Sequence, residues 1–259
     1  MRRCVIGKPP LLSFFFLVFA LSVPFWILGA ATGIQLLRGL PIAAMAASCP
    51  ALAAAYLIYR DRGRQGLYAL LVRAFALSRN KAFWVLPALA LSPVLMIVTY
   101  AIMERAGEPL PSAHVPLSSV VPLLLVFFAG AMAEELGWSG YALVPLQARF
   151  GFVGASLLLG AVWSLWHFVP LLEGHRTFSW IAWWALGTVS MRVVMVFLFS
   201  ATDRSVFAVA LFHTSTNLGF YLVPGWAVSY DPAVLGVLFG IIAVMAAFLR
   251  TSSIMQPVT

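Results

Sequence analysis

The sequence predicts an all-α fold, a polytopic transmembrane helix bundle of about eight helices with a polar site inside the membrane. Three observations carry that prediction. Hydrophobic residues make up 63% of the 259 positions and charged residues only 9%. Mean hydropathy is +0.98. The apolar residues gather in runs long enough to cross a bilayer. A soluble domain cannot hide that much apolar surface. No polar stretch is long enough to build an extramembrane domain, so 1–259 reads as a single integral membrane domain.

The runs fall near 11–33, 40–59, 82–103, 117–142, 152–173, 178–199, 204–223 and 232–249. The first follows a basic start, as a signal peptide does, but its apolar core is longer than the usual one and no clean cleavage site follows. It reads as a retained first span. Pro24, Pro50, Pro87 and Pro93 lie within runs and are expected to kink them, which packed helix neighbours tolerate. Between the second and third runs, "RDRGRQGLYALLVRAFALSRNK" sets basic residues around an apolar face of helical period. That predicts an amphipathic helix near 64–80 lying on the membrane surface. Cys4 and Cys49 read as small apolar fillers, not a disulfide.

Net charge is +8, yet the basic residues cluster in short loops, without the aromatic-interleaved stripe of a nucleic-acid surface. Topology and anionic lipid explain the pattern, so the expected partners include membrane lipid and no nucleic acid. With the N-terminus inside, twelve basic residues fall on the inner side: Arg2, Arg3, Lys8, Arg60, Arg62, Arg64, Arg73, Arg79, Lys81, Arg149, Arg204 and Arg250. Arg38, Arg105 and Arg176 fall outside. The expected location is a multi-pass one in a bacterial-type cell membrane, with both termini cytoplasmic.

Ionisable groups within spans are costly and mark functional sites. The chain has 8 acidic residues, and two stand side by side in "AEELGWSG", Glu134 and Glu135. His167 in "AVWSLWHFVPL" shares a helix face with Trp163, and His213 in "ALFHTSTNLGF" shares one with Asn217. Arg192 is the basic residue well inside a span. Adjacent Glu134 and Glu135 point about 100° apart, so only one is expected to face a given site. Measured from cytoplasmic helix ends, Glu134 lies near ~12 Å, His213 near ~14 Å and His167 near ~22 Å, close enough in depth to converge. Each group alone also has a bland reading: a buried hydrogen-bonding His, or an Asn joining helices. His114, Glu173, His175, Asp203 and Asp231 read as solvated loop positions, and the Trp and Phe near span ends as an interfacial belt.

At these residues the sequence resembles the CPBP family of intramembrane proteases, which includes the type II CAAX prenyl endopeptidases and bacteriocin-processing relatives. The family pattern is E-E-x-x-x-R, then an aromatic-x-x-x-His, then His-x-x-x-Asn, each on a membrane helix. "EELGWSG", Trp163 to His167, and His213 to Asn217 follow it in order, over a core near 117–217. The resemblance implies an intramembrane endopeptidase acting on a peptide or protein with a membrane-associated segment. It implies Glu134 as general base, His167 as the group that helps hold the water, and His213 with Asn217 as oxyanion donors. A carboxylate and donors of this kind act strongly where water is scarce.

One departure stands out: Ser139 occupies the position of the family's Arg. The Arg would pair with Glu135 one turn away, and an unpaired ionised Glu135 in the membrane would be costly. Arg192 lies at matching depth, so it is expected to reach Glu135 from the sixth helix. Glu135, Trp163, Ser139 and Arg192 thus form the expected support. Glu134, His167 and His213 also make an acceptable zinc shell, though no H-E-x-x-H motif is present, so zinc stays open as a cofactor. Three other readings stand beside the protease: a transporter using Glu134, His167 and His213 as a proton relay, a serine protease built on Ser156 with His213, and an inactive family member.

Overall fold

The computed structural model describes residues 11–37, 40–110, 117–222 and 230–251. Helix α1 (Leu11–Thr32) opens the bundle. A two-stranded antiparallel ribbon, β1 (Gln35–Leu37) with β2 (Leu40–Pro41), follows where no strand is expected. A 3-10 turn, Ile42–Ser48, leads into α2 (Cys49–Ala74). Pro50 sits in the first turn of α2 and Pro87 in the first turn of α3 (Val85–Arg105), where the missing N–H has no helical partner to lose. These two prolines start helices; they do not kink them. Arg2, Arg3, Cys4, Lys8, Arg38 and His114 lie outside the described residues.

Gly63, at φ +58° and ψ −154°, divides α2. The piece after it is the expected surface helix, but it stops at Ala74 rather than near 80, and residues 79–84 form a separate 3-10 turn. The chain then forms α4 (Leu117–Gly137), a π-helical turn (Trp138–Ala142), α5 (Leu143–Trp166), and a short α6 (Phe168–Glu173). Gly151, at φ +68°, breaks α5 near its start in a conformation that favours glycine. Helices α7 (Phe178–Ala201), α8 (Val206–Leu222) and α9 (Pro232–Thr251) complete the described chain. The Thr177 hydroxyl caps α7 by accepting from the Trp180 N–H.

The protein is an all-α polytopic membrane bundle. Six helical stretches among the described residues are long and apolar enough to cross a membrane, including the 49-residue stretch Ser118–Trp166. Large apolar side chains such as Phe16, Leu86 and Val244 face outward, as lipid contact requires. Helix α7 is central: Ser190 through Val196 are all buried, so it is covered on every side. It packs between α5 and α9 and also meets α8, while α4 lies between α2 and α8. The α5–α7 crossing is close at Gly160. A Cβ there would stand 3.1 Å from Val189 Cα and 3.2 Å from Arg192 Cβ. That approach delivers Arg192 to the polar interior.

Candidate active site

Glu134 and Glu135 occupy the last turn of α4, and their environments differ sharply. Glu135 is fully buried and fully engaged. Arg192 donates to it from Nη1 (2.9 Å to Oε2, 3.2 Å to Oε1) and from Nη2 (3.2 Å to Oε1). The Ser139 hydroxyl, one turn on in the π-helical segment, donates to Oε2. His213 Nδ1 lies 3.3 Å from Oε1, within ion-pair range though not aligned as a hydrogen bond. Arg192 therefore pairs with Glu135 from α7, and the hydroxyl of Ser139 adds a neutral donor at the position where an Arg side chain would fill the space. A buried carboxylate with this much compensation is held in one geometry.

Glu134 keeps 6% of its surface exposed, against 0% for Glu135. It accepts one hydrogen bond, from the Trp163 indole N–H to Oε2 at 2.8 Å. Its other oxygen has no protein partner among the described residues. Of the two carboxylates, Glu134 is the one left able to meet a water.

Trp163 is the hub of the arrangement. Its ring centroid lies 5.2 Å from that of His167 and 5.2 Å from that of His213, each edge-on. The Arg192 guanidinium carbon stands 4.1 Å over its face, a buried cation–π contact. His167 Nδ1 lies 2.9 Å from the Trp163 carbonyl. A carbonyl only accepts, so Nδ1 carries the proton and Nε2 is left as the acceptor. One residue thus fixes the first carboxylate, both imidazoles and the buried cation.

A cavity of about 70 Å³ adjoins this cluster, room for a water or two. Its walls include His167, His213, Asn217, Trp163, Trp184 and Phe220. Glu134 is not on that wall; it touches the wall residue Trp163 through the indole N–H. The three motifs from α4, α5 and α8 therefore converge on one region, with Glu134 linked to the cavity through Trp163.

Several expectations need correction. Glu135 does not face away from the site, because the His213 ring reaches back to it. Trp166 and Trp184 are not simply part of an interfacial belt: their rings lie 4.7 and 5.4 Å from His167, and Trp166 Nε1 donates to Ser22 Oγ, tying α5 to α1. Only Trp166, next to His167 in "WSLWH", had a local signal; Trp184 comes from α7, far along the sequence. Glu173 is not solvated; its carboxylate oxygens are buried over Gly29 without a partner among the described residues. Ser156 donates to the Phe152 carbonyl of its own helix at 2.8 Å and is fully buried, a poor nucleophile position. Among the described residues, no group of three His, Cys, Asp or Glu side chains could hold a metal ion. Trp163 is in contact with each of Glu134, His167 and His213.

Comparison with known proteins falls on the same segment. Residues 116–219 match the family described as type II CAAX prenyl endopeptidase Rce1-like. Over 139 residues the chain is 32% identical to CAAX prenyl protease 2 of Methanococcus maripaludis, covering 49% of this chain and 50% of that protein. The chain thus spans about half the length of this curated relative. Glu134, Glu135, Ser139, Trp163, His167, Arg192, His213 and Asn217 all lie inside the matched segment.

Proposed function

We propose, from the match of residues 116–219 to the type II CAAX prenyl endopeptidase Rce1-like family and the likeness to CAAX prenyl protease 2, that the chain is an intramembrane endopeptidase with Glu134 as its general base. The observation that carries this reading is the convergence on Trp163, which donates to Glu134 while flanking both His167 and His213.

In the proposed reaction a water enters from the cavity, where Nε2 of His167 can hold it, and is taken up by the open oxygen of Glu134. Glu134 removes its proton as the water oxygen attacks the peptide carbonyl. Charge builds on the carbonyl oxygen, where His213 and Asn217, four residues apart on one face of α8, supply donors in a low-dielectric setting. The carbon–nitrogen bond then breaks, and the proton held by Glu134 passes to the leaving amine. The products are a carboxylate and an amine. Glu135, Ser139 and Arg192 are positioning residues: they hold His213 and the Trp163 ring and take no proton. The steps are written for a water activated by Glu134 without a metal, since among the described residues no group of three His, Cys, Asp or Glu side chains is placed to hold one.

The relative's name makes a prenylated C-terminal CAAX peptide the first substrate to try. The test pairs that assay with mass spectrometry of peptide termini in membranes carrying the wild type or Glu134→Gln. New termini that need Glu134 support the proposal. Identical terminus profiles, with no peptide cleaved by the wild type, would refute it.

A further inference from the structure

A second cavity, of about 310 Å³, lies where the end of α2 meets the turn between α7 and α8. Its wall includes Arg73, Ser78, Thr202, Asp203, Arg204 and Ser205. It shares no residue with the wall of the cavity beside His213. His213 stands roughly 10 Å further along α8.

The charge in this cavity is one-sided. Arg73 and Arg204 are exposed, and neither has a carboxylate partner among the described residues. The acidic wall residue, Asp203, already faces Lys81 at 3.9 Å. Two guanidinium groups therefore remain for an external anion, and paired guanidiniums match the oxygens of a phosphate. The walls are also held in place. The Ser205 hydroxyl donates to the Ala76 carbonyl at 2.7 Å and accepts from the Ala208 N–H at 3.2 Å, joining the α2 side to the first turn of α8. Asp203 and Arg204 both have positive φ, 54° and 67°, uncommon for residues other than glycine.

The segment that supplies Arg73 says where the anion comes from. Along the second piece of α2 and just past it, Tyr68, Leu71, Val72 and Phe75 are 71%, 50%, 52% and 57% exposed. Their spacing puts them on one helical face. An outward apolar stripe with arginines beside it matches a helix lying in the plane of the lipid headgroups. A cationic cavity at that level meets lipid phosphate before it meets a soluble anion.

We infer that this cavity, built on Arg73 and Arg204, binds the phosphate of an anionic phospholipid, with the Tyr68–Phe75 stripe seated among the neighbouring acyl chains. The site stands apart from the proposed chemistry and holds whether or not the chain is a protease.

The test titrates the purified full chain in detergent with phosphatidylglycerol or phosphatidylcholine, and counts retained lipid by native mass spectrometry. The variants are Arg73→Gln/Arg204→Gln and a charge-matched control, Arg60→Gln/Arg149→Gln. All four arginines are exposed, so the core is untouched. The wild type and the control are expected to prefer phosphatidylglycerol, and the first double variant to bind it roughly 30-fold more weakly, at about a fivefold loss per basic residue. Millimolar inorganic phosphate is expected not to displace it. Undiminished preference in the Arg73/Arg204 variant would overturn the site. An equal loss in the control would reduce it to general surface charge, and displacement by inorganic phosphate would reassign it to a soluble anion.

Discussion

Arg192 on α7 holds Glu135 on α4 through three hydrogen bonds of 2.9 to 3.2 Å, and neither side chain has any exposed surface. Breaking such a pair from one side leaves a buried charge without a partner, at a cost of about 3–5 kcal/mol. Removing both charges together costs much less. Thermal stability of Arg192→Met, Glu135→Gln and the double variant should therefore show strong non-additivity, with the double variant more stable than Arg192→Met. Simple additivity in the cycle would mean the pair is not energetically coupled.

Ser139 and Arg192 serve one carboxylate from two helices, which predicts a reciprocal exchange. Ser139 is 1% exposed, so Ser139→Arg alone forces a second guanidinium into occupied space, and it should lower stability by about 1–3 kcal/mol or more. Combining Ser139→Arg with Arg192→Met frees that space and restores a local ion pair along α4. Melting curves of the two variants decide the matter. The combined variant is expected to be the more stable, and the reverse order would separate the two positions.

Trp163→Phe removes the indole N–H and keeps a ring beneath Arg192. A hydrogen bond to a charged group contributes about 1.5–3 kcal/mol, so cleavage should fall by roughly 10- to 100-fold if that bond orients Glu134 during reaction. The fold should survive, with an unchanged helical circular dichroism spectrum. Because the change acts on the proposed base and leaves the proposed oxyanion donors alone, kcat should carry the loss and KM should stay near its original value. A loss confined to KM would instead place Trp163 in substrate binding.

The basic-residue bias predicts Arg62 inside and Arg105 outside. A cysteine introduced beside Arg62 should resist an impermeant maleimide in intact cells and react after permeabilisation. One beside Arg105 should react in both. Labelling at Arg62 in intact cells would invert the orientation.

The helical spans were legible, and the candidate Glu, His and Asn positions stood out, because charged and hydrogen-bonding groups inside apolar runs contrast with their surroundings. Arg192 was legible for the same reason: a lone cation in a buried helix needs a partner, and depth counting pointed to Glu135. Backbone detail was not legible. The surface helix was read through to 80, but apolar periodicity does not report the turn chemistry that stops α2 at Ala74. The prolines at 50 and 87 were read as kinks because hydropathy blurs helix starts. Trp163 was visible as the aromatic member of a motif, but its role as hub depends on three helices meeting it. Arg192 reaches the ring because Gly160 lets α7 approach α5 closely, a contact between segments that no local pattern encodes. The contact between His213 and Glu135 was missed because the 100° rule treats α4 alone, whereas the α8 ring reaches across to it.

The most direct measurement is the single-turnover cleavage rate of a membrane-anchored peptide by purified wild type and by Glu134→Gln, each with and without a strong chelator. Gln keeps the side chain's shape and one acceptor for the Trp163 N–H, but it cannot take a proton from water. Glu134→Gln is expected to slow cleavage by roughly 100-fold or more in a protein of unchanged melting temperature, and chelation to leave the wild-type rate intact. A Glu134→Gln enzyme cleaving at the wild-type rate, or a wild type silenced by the chelator and restored by zinc, would contradict the proposed mechanism.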